Sequence, residues 1–117
     1  MATEDFKLLQ KIEDMIAYAY PILSRFPKAE KFSLAQDIRF SMNSLLKLTI
    51  TEEKKYSKRT TLENMDIENE TLKHYVRLAN KLQFLSNHSY GVWEAKIVEI
   101  GKMIGGLLKS VNVRPKS

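Results

Sequence analysis

The chain has 117 residues, 44% of them apolar and 28% charged, with a net charge of +5 and no cysteine. Such a length holds one hydrophobic core in a single domain, 1–117, and the composition is that of a folded rather than a disordered protein. The missing cysteine excludes disulfides, thiolate zinc sites and cysteine nucleophiles, and suits a reducing compartment.

The start, Met1-Ala2-Thr3-Glu4-Asp5, is acidic where a secretory signal would be basic. Thr3 is the expected cap of a first helix, with Glu4 and Asp5 at the positive end of its dipole. Phe6, Leu9, Ile12, Ile16, Ala19 and Leu23 recur at helical spacing, and Leu8, Met15 and Ile22 widen the stripe. An arc that broad predicts contact with more than one neighbour. Pro21 should kink this helix, and Arg25-Phe26-Pro27-Lys28 reads as the turn that closes it. The longest apolar run, Met15 to Leu23, is too short to span a bilayer, so a cytoplasmic protein without membrane contact is expected.

A second helix is predicted from about Ala29 to the mid-50s, with Phe32, Ala35, Ile38, Met42, Leu45, Leu46 and Thr49 facing inward. Phe40 falls on the opposite, polar side, either as a contact between subunits or as a solitary exposed ring. Lys54-Lys55-Tyr56-Ser57-Lys58-Arg59 forms the next turn. A third helix starts at Thr60 or Thr61 and turns Leu62, Met65, Leu72, Tyr75, Val76, Ala79, Leu82 and Leu85 inward. Ser86-Asn87-His88-Ser89 is a polar connection with capping residues. The fourth helix places Trp93, Ile97, Ile100, Ile104, Leu107, Leu108 and Val111 on one stripe, and residues 112–117 form a loose tail. No segment alternates with the period of a strand. The expected fold is therefore all-α, an antiparallel up-down-up-down four-helix bundle.

Catalytic and metal chemistry find no foothold in this pattern. Di-iron bundles need Glu-x-x-His pairs on two helices, whereas Glu70 and His74 stand four apart and His88 lies in a turn. No phosphate-binding glycine loop, serine elbow or dinucleotide fingerprint occurs. The reading is a non-enzyme with no cofactor and no metal.

Charge offers more. Residues 1–70 carry 11 basic and 12 acidic side chains, and residues 71–117 carry 8 and 2, so a balance of +6 sits in the last two-fifths. An anionic partner such as nucleic acid, or mere solubility, accounts for that asymmetry. Lys73, Arg77 and Lys81 align along one face of the third helix, with Phe84 and Asn80 beside them. Cations in a row with an aromatic suit a nucleic-acid strand with unpaired bases; the plain alternative is a solvated helix face. Lys54, Lys55, Lys58 and Arg59 in the turn, and Lys96, Lys102 and Lys109 on the fourth helix, extend the surface. Gly101, Gly105 and Gly106 interrupt the fourth helix, each at a cost of about 1 kcal/mol relative to alanine. They admit another helix closely, inside the bundle or from a second subunit.

Tyr20-Pro21-Ile22-Leu23 and Phe26-Pro27-Lys28-Ala29-Glu30-Lys31-Phe32, with the terminal Ile97 to Ser110 segment, resemble a family of small four-helix-bundle proteins. One branch is encoded by intervening sequences in 23S ribosomal RNA genes; the other comprises accessory variability determinant (Avd) proteins of diversity-generating retroelements. The first usually carries a proline-serine-asparagine stretch leading to Ala-Glu-Gly in helix two. Ser41 to Ile50 contains neither proline nor glycine, which favours the Avd-like branch. The resemblance implies a homopentameric ring that binds reverse transcriptase and template RNA (or RNA–DNA) during mutagenic copying, with no catalysis of its own. Phe40, Gly101, Gly105 and Gly106 would then serve contacts between copies. An intervening-sequence-type bundle or a plain helical protein–protein module are the alternatives.

Overall fold

A computed structural model of the chain describes residues 3–112, and side chains from Asp5 to Val111. The expected cap on Thr3 and the tail beyond Asn112 lie outside the described side chains. Four helices follow in order, α1 (Thr3–Ser24), α2 (Leu34–Lys54), α3 (Arg59–Lys81) and α4 (Asn87–Asn112), with one 3-10 turn at Lys28–Glu30. Each packs against its chain neighbours, and α1 also packs against α4. The result is the expected antiparallel bundle, 53 × 23 × 20 Å.

The core is a continuous stack. Leu8, Ile12, Met15 and Ala19 of α1 meet Ile38, Met42 and Leu45 of α2, Leu62, Met65, Leu72 and Val76 of α3, and Trp93, Ile97, Ile100 and Ile104 of α4. Each side chain of this size removed from water contributes about 1.5–3 kcal/mol. On α1 the buried centre runs through Leu8, Met15 and Ile22, the positions expected as flanks, while Phe6 is exposed and Leu9 and Ile16 are half-buried. The physical reason is that α1 touches both α2 and α4. The centre of its arc therefore lies between those neighbours, and Leu9 and Ile16 fall to one side.

Two connectors close one end. Ser24 Oγ donates to the Pro21 carbonyl at 2.7 Å, and the backbone N–H groups of Arg25 and Phe26 tighten the last turn of α1. Phe26 then folds back into the core and meets Phe84 of the other connector, ring centroids 5.6 Å apart. Because the 3-10 turn breaks the helical register, α2 starts at Leu34 rather than near Ala29, and Phe32 is 89% exposed instead of inward. At the end of α3, Gln83 adopts φ 64°, and the N–H groups of Gln83 and Phe84 bond the carbonyls of Asn80 and Ala79. That is a Schellman closure. Leu82, expected inward, is the C-cap of α3 and lies half in solvent. Ser86 Oγ accepts from the Ser89 N–H at 3.0 Å, so Asn87 to Ser89 form the first turn of α4 rather than a connection.

The other end is held by charge. Lys58 Nζ donates to the carbonyls of Glu52 (2.7 Å) and Glu53 (3.3 Å), capping α2, and lies 3.7 Å from the Glu52 carboxylate. Glu52 is almost wholly buried beside Asp5 of α1, and one oxygen of each carboxyl lacks a hydrogen-bond partner. Burial, and next the Asp5 charge, push the Glu52 pKa up to about 7, against the pull of Lys58.

A carboxyl whose folded-state pKa is raised binds its proton more tightly when folded. Its contribution to stability is thus full below the ordinary value of 4.5 and lost as pH rises through about 7. Glu52→Gln, which keeps the shape without the charge, should melt above the wild type at about pH 8 and converge with it near pH 5. Thermal denaturation across that window checks the expectation. Parallel curves for the two proteins would show that Glu52 does not change ionisation on folding.

Candidate nucleic-acid interface

The cations of α3 and α4 are distributed by the helical period. Lys73, Arg77 and Lys81 stand one turn apart. Leu72 and Val76 beside them enter the core, so Lys73 and Arg77 emerge half-buried at the shoulder of the α3–α4 seam, and Lys81 projects into solvent at the helix end. The seam is tight. Asn69 Nδ2 donates to the Ile97 carbonyl at 3.1 Å, and a Cβ on Gly101 would stand 3.1 Å from the same nitrogen. Gly101 is therefore used inside the chain, whereas Gly105 and Gly106 face open space.

Across the seam Lys102 joins Lys73 in lining a shallow cleft of about 260 Å³, together with Asp66, Asn69, Glu70 and Gly101. The cleft is of mixed charge at this point, and His74 Nε2 lies 3.1 Å from the Glu70 carboxylate. Arg77 lies further along, near Tyr90, whose hydroxyl donates to Glu94 at 2.6 Å. That hydrogen bond, helped by burial, raises the tyrosine pKa, and Arg77 opposes the shift. Phe84 is not free to stack on a base, because it is half-buried against Phe26. Asn80 Nδ2 donates to Asn87 Oδ1, tying α3 to α4.

The remaining cations gather elsewhere. Lys54 and Lys55 are exposed at the α2–α3 turn around a fully exposed Tyr56. Arg59 pairs with Glu63 at 3.9 Å in solvent, and Lys58 is occupied in capping α2. Lys109, in the last turns of α4, lies at this same end of the bundle because the helices alternate in direction. Lys96 turns away to α1, 5.4 Å from the centre of the Tyr18 ring, and Glu99 pairs with Lys11 at 3.3 Å. The basic surface is thus a seam plus one pole rather than a single patch.

Phe40 is 63% exposed on α2, well away from that seam. With Phe32, Lys31 and Arg39 it borders a second cleft that the helical-face reading of the sequence missed. Gln36 and Phe40 stand one turn apart on α2, but that Phe32 joins them depends on the turn before Leu34, which helical spacing does not describe. Among the described residues no group of three or more His, Asp or Glu could hold a metal ion, and no helix is long and apolar enough to cross a membrane.

These features define the class: a small antiparallel four-helix bundle with cations interleaved with carboxylates along the seam between its last two helices. The model of the bAvd-like family matches residues 6–111, nearly the full chain, and the chain belongs to that family. No curated protein matches it.

Replacing Lys73, Arg77 and Lys81 together with glutamine should leave the fold intact, since none of the three is fully buried. RNA affinity should fall, and its dependence on salt should flatten by about 1 in log–log slope for each phosphate no longer neutralised. A filter-binding titration at several salt concentrations reads both; unchanged binding would put the RNA surface elsewhere.

Proposed function

We propose that the chain is a non-catalytic accessory protein of a diversity-generating retroelement. It assembles into a basic homo-oligomeric ring, a pentamer on the family pattern, and brings template RNA to reverse transcriptase to support mutagenic cDNA synthesis. The observation that carries this reading is the match to the bAvd-like family over residues 6–111. The concentration of positive charge in residues 71–117 supports an anionic partner, and the sequence offers no nucleophile or metal set for catalysis. In this reading the Lys73–Arg77–Lys102 seam and the Lys54, Lys55, Arg59 and Lys109 pole meet RNA phosphates.

Gly105 and Gly106 supply the close approach between copies. A helix surface without side chains at those positions lets another backbone come near, and nothing in the same chain lies within 4 Å of where their Cβ atoms would be. Inside one protomer the Cβ of a Gly105→Leu side chain therefore meets nothing among the described residues.

Light scattering of the purified protein, with and without a structured RNA, tests the proposal. The expected result is a mass of several subunits that rises with RNA at low salt and falls back at high salt. Gly105→Leu should remain folded but lose subunits. A wild-type monomer indifferent to RNA would overturn the assignment, and a Gly105→Leu protein of unchanged mass would remove α4 from the contact between copies.

A further inference from the structure

Phe32, in the turn before α2, and Phe40, on α2, leave most of their rings in water, 89% and 63% exposed. Phe40 stands one helical turn beyond Gln36 on α2, and the turn before Leu34 brings Phe32 to the border of the same cleft. Between them is a shallow cleft of about 320 Å³, at the small end of ligand sites, lined by Lys31, Phe32, Gln36, Arg39, Phe40 and Asn43. Two aromatic faces, two cations, two amides and no carboxylate make up that lining.

The cations are unspent. Neither Lys31 nor Arg39 forms an ion pair among the described residues. The Arg39 guanidinium lies 5.9 Å from the centre of the half-exposed Tyr20 ring, which holds it at the edge of the cleft without neutralising it. An apolar peptide would leave the two amides and both charges desolvated and unmatched, a costly arrangement. A second copy docking through the same cleft would set cation against cation, since the carboxylates bordering Phe40, Asp37 and Glu68, line the adjoining cleft rather than this one. A duplex backbone offers phosphates but no open base face. An unpaired nucleotide answers every group: its base stacks on a phenyl ring, its edge exchanges hydrogen bonds with an amide that both donates and accepts, and its phosphate meets a cation.

We propose that the Phe32–Phe40 cleft at the start of α2 is a stacking site for unpaired bases of single-stranded RNA, with Gln36 and Asn43 at the base edges and Lys31 and Arg39 at the phosphates. This site rests on the reading of the chain as an RNA-binding protein and adds to it a preference for unpaired strands. The α3–α4 seam holds RNA by charge alone; the α2 face distinguishes single strand from duplex.

The test uses a single-stranded RNA oligonucleotide carrying 2-aminopurine, a matched duplex, and three proteins: wild type, Phe32→Ala with Phe40→Ala, and Phe32→Tyr with Phe40→Tyr. Both rings are exposed, so the alanine protein keeps its core. Wild type should quench 2-aminopurine on binding. The alanine protein should lose the quench and about tenfold or more of its single-strand affinity, with salt slope and duplex affinity unchanged. The tyrosine protein should recover both. Single-strand affinity and quench retained by the alanine protein would overturn the stacking site while leaving RNA binding standing. A fall in subunit number of the alanine protein in light scattering would overturn it in favour of a contact between copies. Failure of the wild type to bind either RNA would overturn the underlying reading together with the site.

Discussion

Asn69 sits within the seam between α3 and α4, its amide bonded to the Ile97 carbonyl and pressed against the backbone at Gly101. Its Oδ1 finds no partner, so the bond to Ile97 is what offsets burial of the amide, and losing it would cost about 1–3 kcal/mol. One turn along α3 the register of the two helices brings Lys73 into the cleft that Lys102 borders at its other end, and one turn further sets Arg77 near Tyr90 and Glu94. Trp93 and Ile97, the buried side of α4, follow from it too. At Gly101 a side chain would crowd the Asn69 amide, so the glycine leaves room for that contact across the seam.

The opposite constraint operates at the turn between α2 and α3. There Lys58 satisfies the last carbonyls of α2, and Glu52 is buried beside Asp5 with a carboxyl oxygen left without a partner. That end is less stable when Glu52 is ionised than when it is protonated. It is also the end that displays Lys54, Lys55 and Tyr56 to solvent.

The fold was largely legible in the sequence because α3 and α4 each carry one dominant apolar stripe, as in Leu62, Met65, Leu72 and Val76, or Trp93, Ile97, Ile100 and Ile104. α1 was less legible because its apolar residues support two neighbouring stripes, and only the presence of two packing partners selects Leu8–Met15–Ile22 over Phe6–Leu9–Ile16. Phe32 was misread because a 3-10 turn, not a helix, precedes Leu34. On the candidate surface, helical spacing gave the alignment of Lys73, Arg77 and Lys81. It gave no hint that Lys58 is a cap, that Phe84 is stacked on Phe26, or that Lys96 faces α1, since each depends on which elements meet in space.

The proposed role, carrying RNA to a polymerase, calls for holding the strand firmly without reading its sequence, which phosphate contacts along the seam would do. Such a grip has one thermodynamic signature, the release of counterions as phosphates are neutralised. The direct measurement is the affinity of the wild-type chain for RNA oligonucleotides of unrelated sequence over a range of salt concentrations. The account predicts similar affinities across sequences and a log–log slope of about −0.7 to −0.9 per phosphate neutralised, summed over several phosphates. A slope near zero, or binding confined to one sequence, would contradict it.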